Sequence, residues 1–342
     1  MNWQLFFPPG APIMALPSWQ RPRLLLRADG AGLRWLASAL YPAYRWSAHL
    51  RRWFYRARAL LGAGSVRIRP TTAWDVPYLE EAGLMQAQPM ALLVGTPGPA
   101  QKMVLALGDH DGRPVAYLKY AERPVGIRRL QREAAVLQTL PRQLGPRLLW
   151  QGDLYRGHAV LLSPLEGRPF RLSRKDLLRT ARLLETLPPS ACCPVDEHPA
   201  LQELPDPTEA PVTYWLEVLC RRRWPVVPMH GDCAPWNLLQ APDGQVRMLD
   251  WEYGHPEGFP GVDLAYYLLQ IAMLIRKMPP ARALEWAVRQ VLHTGFMHLK
   301  PREAEVLVRL AAWHAYREER RDGRPDEHPH QQWRCALWRH RV

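Results

Sequence analysis

The stretch from Pro225 to Asp263 constrains this chain more than any other. Within it His230, Asp232 and Asn237 stand as H-x-D-x-x-x-x-N, and Asp250 follows at the end of the short apolar run Val246, Met248, Leu249. Pro242-Asp243-Gly244 between the two groups is a turn signal. The spacing predicts a strand whose closing turn offers a carboxylate and a carboxamide, and a second strand that returns another carboxylate beside them. That is a site for a divalent metal and a phosphoryl group. Phosphoryl transfer asks mainly for a carboxylate to orient a hydroxyl and for oxygen ligands to magnesium. Asp232 fits the first role, and Asn237 and Asp250 fit the second. Any one of these residues alone would read as a turn cap; the four together at this spacing favour the site.

At 342 residues the chain can bury a large core and hold one two-lobed domain or two domains. Its formal net charge of +13 is unevenly spread. Residues 1–170 carry 22 Lys and Arg against 10 Asp and Glu, and residues 171–342 carry 23 against 22. Residues 1–70 alone hold eleven Arg against the single acid Asp29. The basic character therefore belongs to the N-terminal segment and need not describe a substrate site. Cys192, Cys193, Cys220, Cys233 and Cys335 have neither metal-ligand nor disulfide-framework spacing, which predicts a reduced, cytosolic setting. Cys233, beside Asp232, reads as a small buried residue ahead of a reactive thiol. Prolines 8, 9, 12 and 17 break the early apolar residues, so no secretory signal is expected. No run is long enough to span a bilayer.

Residues 1–30 read as an irregular, proline-punctuated arm. From Leu33 to Leu61 aromatic and aliphatic residues alternate with Arg at helical spacing, with Pro42 dividing the helix. Two readings of this segment fit equally: an interfacial amphipathic helix on an anionic membrane, reached through residues 1–65, and a helical prefix packed on the rest with its Arg side chains solvated. Specific nucleic-acid binding is not expected, because no reader motif accompanies the charge. From Met90 the pattern changes to apolar, β-rich runs, with an Asp111-Gly112 turn between Val104–Gly108 and Val115–Tyr120. Lys119 lies in the second of these strands, and Glu133 follows in a helix whose Ile127, Leu130, Ala134, Leu137 and Leu140 share one face. Two short strands come next, and then helices at Arg174–Leu187, Val212–Arg223, Val262–Lys277, Ala281–Phe296 and Arg302–Arg321. The residues between Pro188 and Pro211 read as a long acidic loop.

"HGDCAPWNLL" followed by "LDWE" resembles the catalytic segment of the aminoglycoside phosphotransferase and choline kinase group. The resemblance covers roughly residues 90 to 320. It implies an α+β, two-lobed protein-kinase-like fold, with a small β-rich nucleotide-binding lobe over residues 90–166, a larger helical lobe over 167–342 and a basic extension over 1–89. It implies that Asp232 is the catalytic base, that Asn237 and Asp250 hold Mg2+, and that Asp263 buttresses the loop, while N-capping is its local reading. His230 is expected to support the loop. Lys119 and Glu133 match the Lys–Glu pair that positions the α- and β-phosphates of ATP. Gly95, Thr96 and Gly98 form a turn that could cover those phosphates, although the pattern is not G-x-G-x-x-G. Residues Ser163 to Glu166, Leu165 among them, match the linker whose backbone meets the adenine. The activity implied is ATP-dependent phosphorylation of a small-molecule hydroxyl by a cytoplasmic enzyme, peripheral to the membrane on the first reading of the prefix. The alternative is a non-catalytic, kinase-like nucleotide-binding or scaffold protein at the membrane surface.

Overall fold

In the computed structural model the described residues are 3–30, 40, 46–61, 66–67, 76–170 and 172–339. The chain divides into two compact units: Met1–Ala134 with Pro146–Pro164, and Ala135–Gly145 with Leu165–Val342. An antiparallel-sheet unit and a helix-rich unit make up an α+β protein, the class expected.

The first unit contains β1 (Pro12–Leu16), β2 (Leu24–Arg27), α1 (Trp46–Leu61), β3 (Val66–Arg67), α2 (Pro77–Glu81), β4 (Gln88–Val94), β5 (Met103–Gly108) and β6 (Pro114–Ala121). It also contains most of α3 (Pro124–Thr139), with β7 (Leu148–Leu154) and β8 (Gly157–Leu162). Eight strands form one sheet in the order β3-β1-β2-β4-β5-β6-β8-β7, antiparallel at every step. In β6 the period of two is plain: Ala116, Leu118 and Tyr120 are buried, while Val115, Tyr117 and Lys119 are only partly covered. The β5–β6 turn closes on Asp109, whose Oδ1 accepts the backbone N–H groups of Asp111 and Arg113 at 3.0 and 2.8 Å. Gly112 supplies the positive φ of 75° that this turn needs.

Residues 12–16 and 24–27 are strands where an irregular arm was expected. The reason is burial on both faces. Ile13, Ala15 and Leu25 face a core with Phe6, Leu92 and Leu105; Met14, Leu16, Leu24 and Leu26 face a second one with Tyr55 and Ala59 of α1. A strand covered on both sides reads as a plain apolar run, with no alternation to announce it. The helix expected over Leu33–Leu61 is observed from Trp46, and its part before that, Pro42 included, lies outside the described residues.

The second unit holds β9 (Arg168–Pro169), α4 (Arg174–Glu185), β10 (Ala191–Cys193), α5 (Val212–Leu219), β11 (Trp224–Met229), β12 (Leu238–Gln240), β13 (Val246–Met248) and β14 (His255–Gly258). The helices α6 (Val262–Gln270), α7 (Pro280–Thr294), α8 (Pro301–Arg321) and α9 (Pro329–Trp338) complete it. Two small sheets, β10-β11-β14 and β13-β12-β9, carry the loops of interest. A π turn over Ile271–Ile275 ends α6 earlier than the apolar run suggests. Helix α9 was not foreseen. It buries Leu337 and Trp338, and Trp333 Nε1 donates to the Met278 carbonyl at 2.9 Å.

Tyr55 is buried on the sheet whereas Trp53, on the same helix, is 69% exposed. Tyr55→Ala should therefore cost about 3 kcal/mol of stability, and Trp53→Ala should stay within about 0.5 kcal/mol of the parent. Urea denaturation of both variants checks this; equal losses would mean that α1 does not pack through Tyr55.

Candidate active site

The site is built on the turn that leaves β11. Gly231 takes a φ of 74°, and a Cβ there would collide with the Tyr253 carbonyl, so the turn needs glycine. The backbone N–H groups of His230 and Gly231 donate to Oδ2 and Oδ1 of Asp263 at 2.6 and 2.9 Å. Asp263 is buried in the first turn of α6 and does not cap it: the N-cap is Gly261, with no side-chain capping bond. Burial pushes the Asp263 carboxyl up to about 6, against the pull of those two N–H groups.

His230 has both ring nitrogens engaged. Nε2 lies 2.8 Å from the Leu249 carbonyl, which can only accept, and Nδ1 accepts the Asp232 backbone N–H at 3.2 Å. The ring is thereby fixed as the neutral Nε2–H tautomer, packed against Trp251 at 4.6 Å with the two rings tilted by 47°. It holds the loop and is not placed to take a proton.

Asp232 is half-buried, and two side chains orient it. Tyr266 of α6 donates its hydroxyl to Oδ1 at 2.7 Å, and Asn237 Nδ2 donates to Oδ2 and to the Asp232 carbonyl, each at 2.9 Å. Loss of water pushes the Asp232 carboxyl up to about 7; the Tyr266 bond opposes this, and the charges of Asp250 and Glu252 add to it. Asn237 closes a short 3-10 turn, Pro235–Asn237, and its carbonyl accepts the Leu249 N–H at 2.8 Å. That bond sets the end of β13 beside the loop. Asp250 follows with a φ of 67°, a left-handed conformation uncommon for a residue with a side chain. Cys233 is buried and its thiol is pushed up by burial, as a structural residue and not a reactive one.

Magnesium takes oxygen ligands, and the donor set here is oxygen alone: the carboxylates of Asp232, Asp250 and Glu252 with the Asn237 carboxamide. Asp250 and Glu252 both raise the Asp232 carboxyl by like charge, so a divalent cation would relieve a repulsion built into the loop. An amide whose nitrogen is turned to Asp232 offers its oxygen on the other side. The residues present fit the ion.

In the sheet unit, Lys119 Nζ on β6 lies 2.6 and 2.8 Å from the two Glu133 oxygens on α3. Glu133 is fully buried. Glu122, the nearer acid in sequence, instead accepts the Tyr120 hydroxyl at 3.2 Å. The 95–98 turn is tied at both ends. Arg23 donates to the Gly95 carbonyl and to Thr96 Oγ1, at 3.1 and 3.4 Å, and Arg123 donates to the Gly98 carbonyl at 2.8 Å. Ser163 pairs with Arg147 through its N–H and its Oγ, both at 2.9 Å. Leu165 opens the second segment of the other unit. The sequence reading missed Tyr266 and Glu252. Tyr266 was detectable as the i+3 neighbour of Asp263, on the same face of α6.

Neither a family model nor a curated protein matches this chain by sequence. Solved structures similar to it include an aminoglycoside phosphotransferase of Streptomyces rimosus, 17% identical over 69% of this chain and 96% of that one, with a TM-score of 0.39. An ethanolamine kinase of Plasmodium vivax is 10% identical over 90% of this chain and 93% of that one, with a TM-score of 0.42. A choline kinase of Cryptosporidium parvum is 13% identical over 68% and 80%, with a TM-score of 0.38. These are distant likenesses, each at most 17% identical.

The raised carboxyls set a pH dependence. Between the unfolded value near 3.9 and the folded value of about 7, native Asp232 keeps a proton that the unfolded chain has released. Its stabilising contribution is therefore complete below pH ~4 and lost as pH rises through 7. Asp232→Asn should remove that loss, so that at pH 8 without metal the variant melts a few degrees above the parent, on the order of 1–2 kcal/mol. Scanning calorimetry from pH 5 to 8 checks it; parallel curves would mean that Asp232 titrates as an ordinary carboxylate.

Proposed function

We propose that this chain is a Mg-ATP-dependent kinase that phosphorylates a hydroxyl of a small molecule. The observation that carries the reading is Asp232, half-buried, pushed up to about 7 and held at both oxygens by Tyr266 and Asn237. A carboxylate poised near neutrality and fixed in direction suits a general base. The acceptor hydroxyl gives its proton to Asp232 as its oxygen forms a bond to the γ-phosphorus, and the bond from that phosphorus to the β–γ bridging oxygen breaks, releasing ADP. Magnesium, when bound, neutralises phosphate charge; Asn237 and Asp250 would hold it. Lys119, locked by Glu133, is the cation for the α- and β-phosphates. The 95–98 turn and the backbone from Ser163 to Leu165 are assigned to phosphates and adenine by resemblance, and GTP fits the same groups. Aminoglycoside, choline-like, sugar and envelope-precursor alcohols are the acceptor classes.

The test is ATP turnover by the full chain against a panel of such alcohols, with and without Mg2+. Acceptor-dependent ADP release, absent in Asp232→Asn while Mg-ATP still binds, is expected. Nucleotide binding with no turnover on any acceptor would favour the non-catalytic alternative. In calorimetry Asp250→Asn should weaken Mg-ATP binding at least about tenfold and erase its metal dependence. Lys119→Met should weaken nucleotide binding with or without the metal. Unchanged affinity in Asp250→Asn would remove that residue from the metal.

One observation favours a second, compatible reading, contact with an anionic membrane. Helix α1 exposes Trp53 (69%) and Leu61 (79%), with Leu50, Phe54 and Leu60 about half exposed and Arg51 and Arg56 on the same helix. Deleting residues 1–65 would strip β1 and β2 from the sheet, so a double Trp53→Asp, Leu61→Asp variant is the cleaner probe. The parent should float with anionic vesicles, less so at high salt, and the variant should not. Equal recovery of both proteins with vesicles would show that α1 is not the contact.

A further inference from the structure

In the same unit as the Asp232 loop, His255, His314 and Glu318 come together as a separate cluster. One potential ligand atom from each lies within 4.8 Å of the other two. His314 and Glu318 are i and i+4 on α8, hence on one face, and both are buried; His255 opens β14 and is half-buried. The two imidazole rings meet edge to face at 5.9 Å.

We propose that these three side chains form a site for a divalent transition metal of the zinc class, chemically distinct from the magnesium position. The donor set decides the class. Two imidazoles and one carboxylate are nitrogen-rich and borderline, which suits zinc, cobalt or iron, whereas the Asp232 cluster offers only oxygen. In a tetrahedral site with bonds of about 2.0–2.1 Å, neighbouring ligand atoms stand roughly 3.3 Å apart, so side-chain shifts on the order of 1 Å close the set. A pocket of about 240 Å³ is lined by both His255 and His314, and it gives water or an exogenous ligand a way to a fourth position.

The charges nearby permit a cation. Arg321 and Arg317 approach Glu318 Oε1 at 3.0 and 3.5 Å, and Glu203 pairs with the same two arginines at 2.9 and 2.7 Å. Two carboxylates thus balance two guanidinium groups. Glu257 adds a further acid at the pocket.

The consequence follows from register. His255 is paired with Met229 across β14 and β11, and the residue after Met229 is His230. A metal joining His255 to α8 therefore braces the strand from which the catalytic loop departs. The bound ion is structural or regulatory and takes no part in phosphoryl transfer.

The experiment titrates the chelator-treated full chain with Zn2+ by calorimetry and with Co2+ by visible absorption. One equivalent of Zn2+, an intense ligand-field spectrum with Co2+ and a raised Tm are expected. Loss of that equivalent is expected in His314→Ala and also in His255→Gln, a half-exposed position that guards against misfolding of the first variant. Cys192→Ser with Cys193→Ser, removing surface thiols as an incidental zinc site, should retain it. Failure of the parent to take up zinc overturns the proposal, as does an undiminished equivalent in folded His314→Ala or His255→Gln. No step of the titration depends on kinase turnover, so failure here and failure of the kinase assignment are separately visible.

Discussion

The turn that leaves β11 depends on one buried carboxylate. Asp263 accepts the N–H groups of His230 and Gly231, and hydrogen bonds to an ionised acceptor are worth about 1.5–3 kcal/mol each. With those amides fixed, His230 can reach Leu249 and receive the Asp232 N–H, and the loop closes on itself. Asn237 then fixes Leu249, and through it the departure of Asp250. Each contact is local, but every one presupposes the direction that Asp263 gives to α6 and to the turn at once.

The same helix sets the electrostatics. Burial raises Asp232, and a phenol on α6 moderates the rise. Tyr266 itself lies near the charge of Arg334, a buried arginine on α9 bonded to Gln331 and Glu319. The C-terminal helix thereby acquires a physical connection to the loop that its aromatic, basic sequence did not suggest. Burial and orienting hydrogen bonds act in opposite directions on one carboxylate, which leaves it able to change protonation state near neutral pH.

The sequence carried the site's polar skeleton because its spacing is local. His230 to Asn237 is one turn and Asp250 one hairpin away, and Lys119 with Glu133 needs only a strand followed by a helix. What it concealed was long-range. Tyr266 sits in a largely apolar helix, where its i+3 spacing from Asp263 is the one local sign of its hydroxyl's role. The strands β1 and β2 are buried on both faces, which erased the period of two, and prolines 8, 9, 12 and 17 made the segment read as an arm. The helix-forming stretches were readable by periodicity, but α9 was not: its buried Gln331 and Arg334 interrupt the apolar face.

The sheet's third pairing has a consequence for how this protein tolerates change. Leu26 pairs with Ala91, sixty-five positions further on, so β2 and β4 are neighbours in space across a long connection. Closing such a loop carries an entropic penalty that grows only logarithmically, by about 0.6 kcal/mol for each doubling of its length. Lengthening the connection between its packed elements is therefore nearly neutral for the sheet, provided that Tyr55 and Ala59 still cover the second core, Tyr78 and Leu79 the first, and β3 still pairs with β1. Insertions, natural or grafted, should accumulate there, making it the chain's natural port for a reporter or an added recognition module.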